Sequence, residues 1–158
     1  MKYWLDVHYP RRVNERRHDF LKVRLRDNNY KALEKMKAGD RVFIYETTSN
    51  DDGFIEYVEN GKRGVAAQIK GRKGIVALVQ IVGSFINEYC EFGGYPFKGH
   101  YLTRELPVER HVIPLDEYNK ARSASNLTPF IPYTPGGLIE LHPEDAKILL
   151  NLMKSSDS

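Results

Sequence analysis

The chain has a single cysteine, Cys90, among its 158 residues, which excludes an intramolecular disulfide and any cysteine-rich zinc knuckle. No apolar run approaches the ~18 residues of a membrane span. The opening Met-Lys-Tyr-Trp-Leu-Asp meets an acid too early for a signal peptide. A cytoplasmic protein with no membrane partner is therefore expected. The usual catalytic signatures are also missing. Gly71-Arg72-Lys73-Gly74 lacks the spacing and the following Ser/Thr of a phosphate-binding loop, and there is no GxSxG or HExxH. Histidines 8, 18, 100, 111 and 142 stand singly, none at the i, i+4 spacing of a helical metal pair. Cys90 lies near Glu88 and Glu91, which would raise a thiol pKa rather than activate it. No metal, no cofactor and no catalytic residue are expected, and no internal repeat is visible.

What is present is ordinary globular composition, 41% hydrophobic and 28% charged, in a length that suits one domain. The net charge of +3 is unevenly spread. Residues 11 to 26 carry seven Lys/Arg and two acids, a local +5 that leaves about −2 for the rest. Such a block is the footprint of phosphate contact, or else a solvated face. Aromatics reach 11%, many of them in loops or at strand ends. A loop aromatic beside basic residues offers a platform on which a nucleobase can stack. Tyr133, stiffened by Pro132 and Pro135, is one such candidate.

Along the chain, Tyr3, Leu5 and Val7 alternate with Trp4, Asp6 and His8, which predicts a strand with two distinct faces. His8, beside Asp6 on one face, is the histidine with a functional reading. Residues 11 to 27 show no clean helical stripe and read as a basic loop with room for a helical turn. Asn28 or Asn29 is placed to cap a helix from Tyr30 to Met36, stopped by Lys37-Ala38-Gly39-Asp40. Strands are predicted at 41–47, 54–58 and 65–69, the last two joined by a turn at Asn60-Gly61. Ile75 to Phe85 reads as a long apolar strand, buried on both faces or curved at Gly83. Further strands are expected at 95–102 and 108–113, a short helix at 115–122, and a last strand at 138–141. His142-Pro143-Glu144-Asp145 starts a C-terminal helix. Residues 1–153 make one domain, and 154–158 are a polar tail or the start of a linker.

The order Tyr3-Trp4-Leu5-Asp6, then Asn28-Asn29, then Lys37-Ala38-Gly39-Asp40-Arg41-Val42-Phe43-Ile44-Tyr45, then Gly74-Ile75-Val76-Ala77 through Ile81-Val82, resembles the EVE domain. The closing Gly-Leu-Ile-Glu-Leu-His-Pro-Glu-Asp with Ile148-Leu149-Leu150 is similar to that family's last strand and helix. EVE belongs to the PUA-like group, with the YTH readers of methylated adenine and the ASCH domains. The resemblance implies an α+β fold: a twisted, partly closed β-barrel of about five to seven strands, flanked by short helices and a C-terminal helix. It also implies a pocket near the end of the first strand that holds a modified base flipped from DNA or RNA.

Carried over by position, the base pocket would draw on Trp4, Asp6, His8, Phe20, Asn28, Asn29, Tyr45, Thr47 and Tyr133. Asp6 would accept a hydrogen bond from a base amino group, Asn29 would donate and accept, and Tyr133 and Trp4 would stack. Arg11, Arg12, Arg16, Arg17, Lys22, Arg24 and Arg26 would meet phosphate. Two departures stand out. Phe20 is the nearest substitute for the aromatic that usually follows the first strand, and the hairpin at 48–64 is longer than the common form.

The expected function is a non-catalytic module that binds a modified base in nucleic acid. It would be monomeric when isolated and joined to or associated with another activity, such as modification-dependent restriction machinery. A plain PUA-like RNA-binding module is one alternative. An ASCH-like hydrolase of small nucleoside amides, with Asp6, Lys22 or Glu46 as acid or base, is the other.

Overall fold

A computed structural model describes residues 1–48, 50–132 and 137–154. Its centre is a six-stranded sheet built on β1 (Tyr3–His8) and β3 (Arg41–Glu46), which pair in parallel. The connection between them holds α1 (Arg17–Phe20), β2 (Val23–Leu25) and α2 (Tyr30–Lys35). After β3 come the hairpin strands β4 (Phe54–Glu59) and β5 (Lys62–Ala67), then β6 (Gly74–Ile81). Four short strands follow: β7 (Cys90–Phe92), β8 (Tyr95–Phe97), β9 (Gly99–Tyr101) and β10 (Thr103–Glu105). The chain closes with β11 (Ile113–Pro114), α3 (Leu115–Ala124), β12 (Leu138–Glu140) and α4 (Pro143–Leu152). The central order is β10-β6-β3-β1-β12, with β11 also on β6; β2 pairs with β9, and β5-β4-β7-β8 form a separate antiparallel sheet. Among the described residues the central sheet does not close into a barrel.

The alternation in β1 does what two faces require. Trp4 enters a cluster with Phe20, Val23, Leu25, Met36 and Tyr101. Leu5 and Val7 enter the opposite cluster with Phe43, Tyr45, Tyr118 and Leu149 of α4. Because both faces are covered, β3 and β6 read as unbroken apolar runs. Ile44 pairs with Ala77 but Tyr45 with Ile75, so Val76 is an extra residue in a β-bulge. Burial on both faces therefore accounts for the apolar run, which leaves the ladder at Ile81, before Gly83.

The predicted helices and the Asn60-Gly61 turn are present, with φ of +53° and +74° at the two turn residues. Other expectations need correction. The basic segment is not only loop: Val23 and Leu25 alternate inward around Arg24 as β2. Residues 95–102 do not form one strand, because Gly99 sits so close to Ile86 that a Cβ would meet its carbonyl oxygen at 2.1 Å. The chain changes sheets there. Only Ile113 and Pro114 pair in the stretch predicted as a strand at 108–113. Asn29 spends its side-chain oxygen on the Arg26 N–H, at 2.7 Å, rather than capping α2. Residues 155–158 of the polar tail lie outside the described residues.

Candidate nucleic-acid interface

The C-terminal end of β1 delivers Asp6 and His8 to one side of the central sheet, and β2 brings Arg24 beside them. The four-stranded sheet folds over this end. By register, Ile55, Tyr57 and Glu59 of β4 share a face with Phe92 of β7 and Phe97 of β8. Between the two sheets lies a cleft with about 480 Å³ of empty space, counting its solvent-open mouth. Phe20, Ile55, Phe92 and Phe97 line it with apolar surface, and Asp6, His8, Arg12, Glu15 and Arg24 with polar groups. Mostly apolar walls with a few convergent polar groups are the usual make-up of a ligand site.

Asp6 is 1% exposed. Its Oδ2 lies 2.7 Å from His8 Nε2, and an ionised carboxylate can only accept, so that ring nitrogen donates. Asp6 Oδ1 has no partner among the described residues. Burial pushes the Asp6 carboxyl above its ordinary range, against the opposing pull of His8 and, more weakly, of Arg24. Phe20 meets the His8 ring edge-on, with centroids 5.4 Å apart, which fixes the imidazole plane.

The two arginines are held by aromatic faces. Arg12 lies 4.6 Å from the Tyr57 centroid and 5.2 Å from that of Phe92. It also donates to Glu59 at 2.7 Å and Glu15 at 3.2 Å. Arg24 lies 4.7 Å from the Phe92 centroid and makes no ion pair among the described residues. Such contacts over a ring restrain a long side chain that would otherwise be mobile. Nearby, burial raises the Cys90 thiol pKa against the opposing pull of Arg24, with Glu59 and Glu88 adding to the rise.

No model of a known protein family matches the chain, and no curated protein matches it either. Solved structures do. Human THYN1, solved in complex with DNA containing 5-methylcytosine, superposes with a TM-score of 0.51 at 17% identity, over 99% of this chain and 100% of that one. The chain shares the fold of THYN1. Rpa0253 from Rhodopseudomonas palustris, an NMR structure, matches with a TM-score of 0.46 at 15% identity, over 97% of this chain and 93% of that one.

Within this fold, Asp6, His8 and Phe20 meet at one pocket, joined by Arg12 and Arg24, which the sequence had assigned to phosphate. Trp4 is elsewhere: it is buried in the core, and its indole N–H donates to Asp40 Oδ2 at 3.1 Å. Asn28 and Asn29 open onto a separate groove, which Trp4 also borders, with Leu138 and Glu140. Tyr45 faces the opposite core, edge-on to Phe130 with centroids 5.7 Å apart, and burial pushes its hydroxyl up to about 12. The Thr47 N–H donates to the His8 carbonyl at 3.0 Å, but its side chain does not line the pocket. Tyr133 lies outside the described residues.

The basic block is less free than its charge count suggests. Arg17 is fastened to Glu105 by bonds of 2.8 and 2.5 Å, Lys22 pairs with Asp19 at 3.2 Å, and Arg26 sits 4.6 Å from the Tyr95 centroid. Arg11 and Arg16 form no ion pair among the described residues. Sequence reasoning missed Ile55, Phe92 and Phe97. The signal was available in Cys90-Glu91-Phe92 and Tyr95-Pro96-Phe97 around Gly93-Gly94, a hairpin whose glycines take φ of +58° and +83°.

Proposed function

We propose that this chain is a non-catalytic nucleic-acid-binding module that holds a modified base, extruded from its strand, in the pocket at the end of β1. The observation that carries the reading is Asp6, a fully buried carboxylate with one oxygen left without a donor among the described residues, in an apolar, aromatic cleft. A buried unpaired acceptor is costly, so its retention points to a ligand that supplies the missing hydrogen bond. An exocyclic amino group, as on cytosine or adenine, is such a donor. Phe20, Ile55, Phe92 and Phe97 suit the faces of a flat ring and an added methyl group, and Arg24 offers donors to the acceptors beside that amino group. THYN1, of the same fold, was solved with 5-methylcytosine DNA, which supports DNA as the first polymer to try. A role as the recognition part of a larger modification-dependent system is consistent with a module that binds without reacting.

The test is equilibrium binding to matched oligonucleotides, unmodified or carrying one 5-methylcytosine, 5-hydroxymethylcytosine or N6-methyladenine, at two salt concentrations. A preference of about tenfold for one modification, near 1.4 kcal/mol, is the expected result. Equal and salt-dependent binding to all of them refutes the pocket and leaves backbone contact as the activity.

A further inference from the structure

The loop after β1 carries a device that the pocket alone does not explain. The Glu15 N–H donates to the Arg12 carbonyl at 3.0 Å, closing a β-turn whose central residues are Val13 and Asn14. The turn is held from several directions. The Arg12 N–H donates to the Glu15 carboxylate at 3.3 Å and the Arg12 guanidinium at 3.2 Å, while the same guanidinium reaches Glu59. The Val13 N–H donates to the Ala67 carbonyl at 2.8 Å, and the Ile69 N–H to the Arg11 carbonyl at 2.8 Å, which fasten the turn to the end of the hairpin. Arg12 and Glu15, the first and last turn residues, line the pocket. The two residues between them, which do not line it, form the tip of a turn anchored at the pocket.

Those two residues are out of place for a merely solvated turn. Val13 is 61% exposed, an apolar side chain on a support held by several hydrogen bonds. Asn14 beside it is exposed as well. The other large exposed apolar side chains of this sheet, Phe54 and Val65, lie on its far face, away from Ile55 and Tyr57. On either side of the turn stand Arg11 and Arg16, which make no ion pair among the described residues. An apolar tip flanked by a half-buried and an exposed arginine, neither ion-paired among the described residues, and fixed beside a pocket, matches a stacked, anionic polymer from which one unit has been removed.

We propose that Val13 is a wedge that enters the base stack of a duplex and fills the gap left by the extruded base, with Asn14 facing the estranged partner base. Apolar side chains inserted between base steps offset part of the cost of unstacking. Asn14, with both a donor and an acceptor, can satisfy the edge of whichever base has lost its partner. Arg11 and Arg16 take the phosphates on either side of the gap. The inference rests on the reading of the pocket as a base site, and it adds that the substrate is double-stranded.

The experiment compares one DNA strand carrying a single 5-methylcytosine, alone and annealed to its complement, with 2-aminopurine beside the modified base as a reporter of unstacking. Wild type, Val13→Ser, Val13→Leu and Asp6→Asn are titrated against both forms. Val13→Ser should weaken duplex binding about tenfold or more, because the gap is left unfilled. It should leave single-strand binding within about twofold, because no stack has to be parted there. Val13→Leu, still apolar, should bind the duplex like wild type, and the 2-aminopurine signal should rise with wild type and Val13→Leu but not with Val13→Ser. Equal loss on both forms, no loss on either, or failure of Val13→Leu alongside Val13→Ser overturns the wedge while leaving the pocket standing. If Asp6→Asn binds both forms as wild type does, the base pocket itself is wrong whatever Val13 shows. Absence of wild-type binding to the duplex overturns the wedge outright.

Discussion

Asp6→Asn separates stability from binding, because the same atom bears on both in opposite directions. In the free protein the carboxylate is buried, and among the described residues only its Oδ2 has a partner, His8 at 2.7 Å. A buried charged acceptor without its hydrogen bond costs about 1–3 kcal/mol. Asparagine removes the charge and keeps the shape, but it weakens the charge-assisted bond to His8 by about 1 kcal/mol. The net expectation is a protein more stable by about 1 kcal/mol near neutral pH, which for this size is a rise in Tm of about 2–4 °C. The pH dependence has a definite sign. The folded-state pKa of Asp6 is raised by burial, so the native state holds this proton more tightly than the unfolded chain does. Its contribution to stability is full below the unfolded value near 3.8 and is lost as pH rises through the folded value. The gap between the asparagine variant and wild type should therefore open as pH climbs from about 4 and then level off. Binding should move the other way. Loss of a hydrogen bond to a charged acceptor costs about 1.5–3 kcal/mol, or about 10- to 150-fold in affinity for the modified base. The assays are thermal and urea unfolding across pH 4–8, and titration with modified oligonucleotides. A variant less stable than wild type at pH 7 by more than about 1 kcal/mol, or one that binds unchanged, would refute the reasoning.

Asp40→Ala should cost about 2–4 kcal/mol by urea unfolding, since it strands the buried Trp4 indole N–H together with the Lys2 and Lys37 backbone N–H groups. Asp40→Asn should cost less, because one acceptor remains; equal losses for the two would show that packing, not hydrogen bonding, fixes that corner. Gly99→Ala should lower stability by about 2 kcal/mol or more, because the new Cβ would meet the Ile86 carbonyl oxygen at 2.1 Å and the Phe85 ring at 2.5 Å; an unchanged Tm would mean that the β9 contact with Ile86 opens freely. Arg17→Ala should leave the salt dependence of nucleic-acid binding almost unchanged, since Arg17 is already neutralised by Glu105; a shallower slope by about 0.9 would instead mark it as a phosphate contact.

Much of the scaffold was legible one element at a time. The two-faced pattern of β1, the turn chemistry of Asn60-Gly61 and the Pro143 start of α4 are local signals, and the tertiary structure leaves them as they are. The order of short motifs led to the expectation of an α+β fold closed by a C-terminal helix, and the THYN1 superposition shows the fold that the two chains share. Charge was less informative. Seven cations in a row of sixteen residues look like one surface, yet Arg17 and Lys22 end on acids, and Glu105 is far away in sequence from its partner.

The pocket belongs to the tertiary structure. Asp6 and His8 are two residues apart, so their pairing could be foreseen from strand alternation. Phe92, Phe97 and Ile55 come from a sheet assembled around Gly93-Gly94, and nothing local says that its face folds over the end of β1. Arg12 and Arg24 turn inward because aromatic faces and Glu59 wait for them across 35 residues or more. Trp4 shows the same logic in reverse: it shares a strand face with Asp6, but Asp40 and the α2 side of the core claim it. Sequence alone determined which residues make strands, turns and helices, because those choices depend on neighbours a few positions away. Which side chains share a cleft, and which charges remain free, depends on non-local contacts that exist only once the sheets have packed.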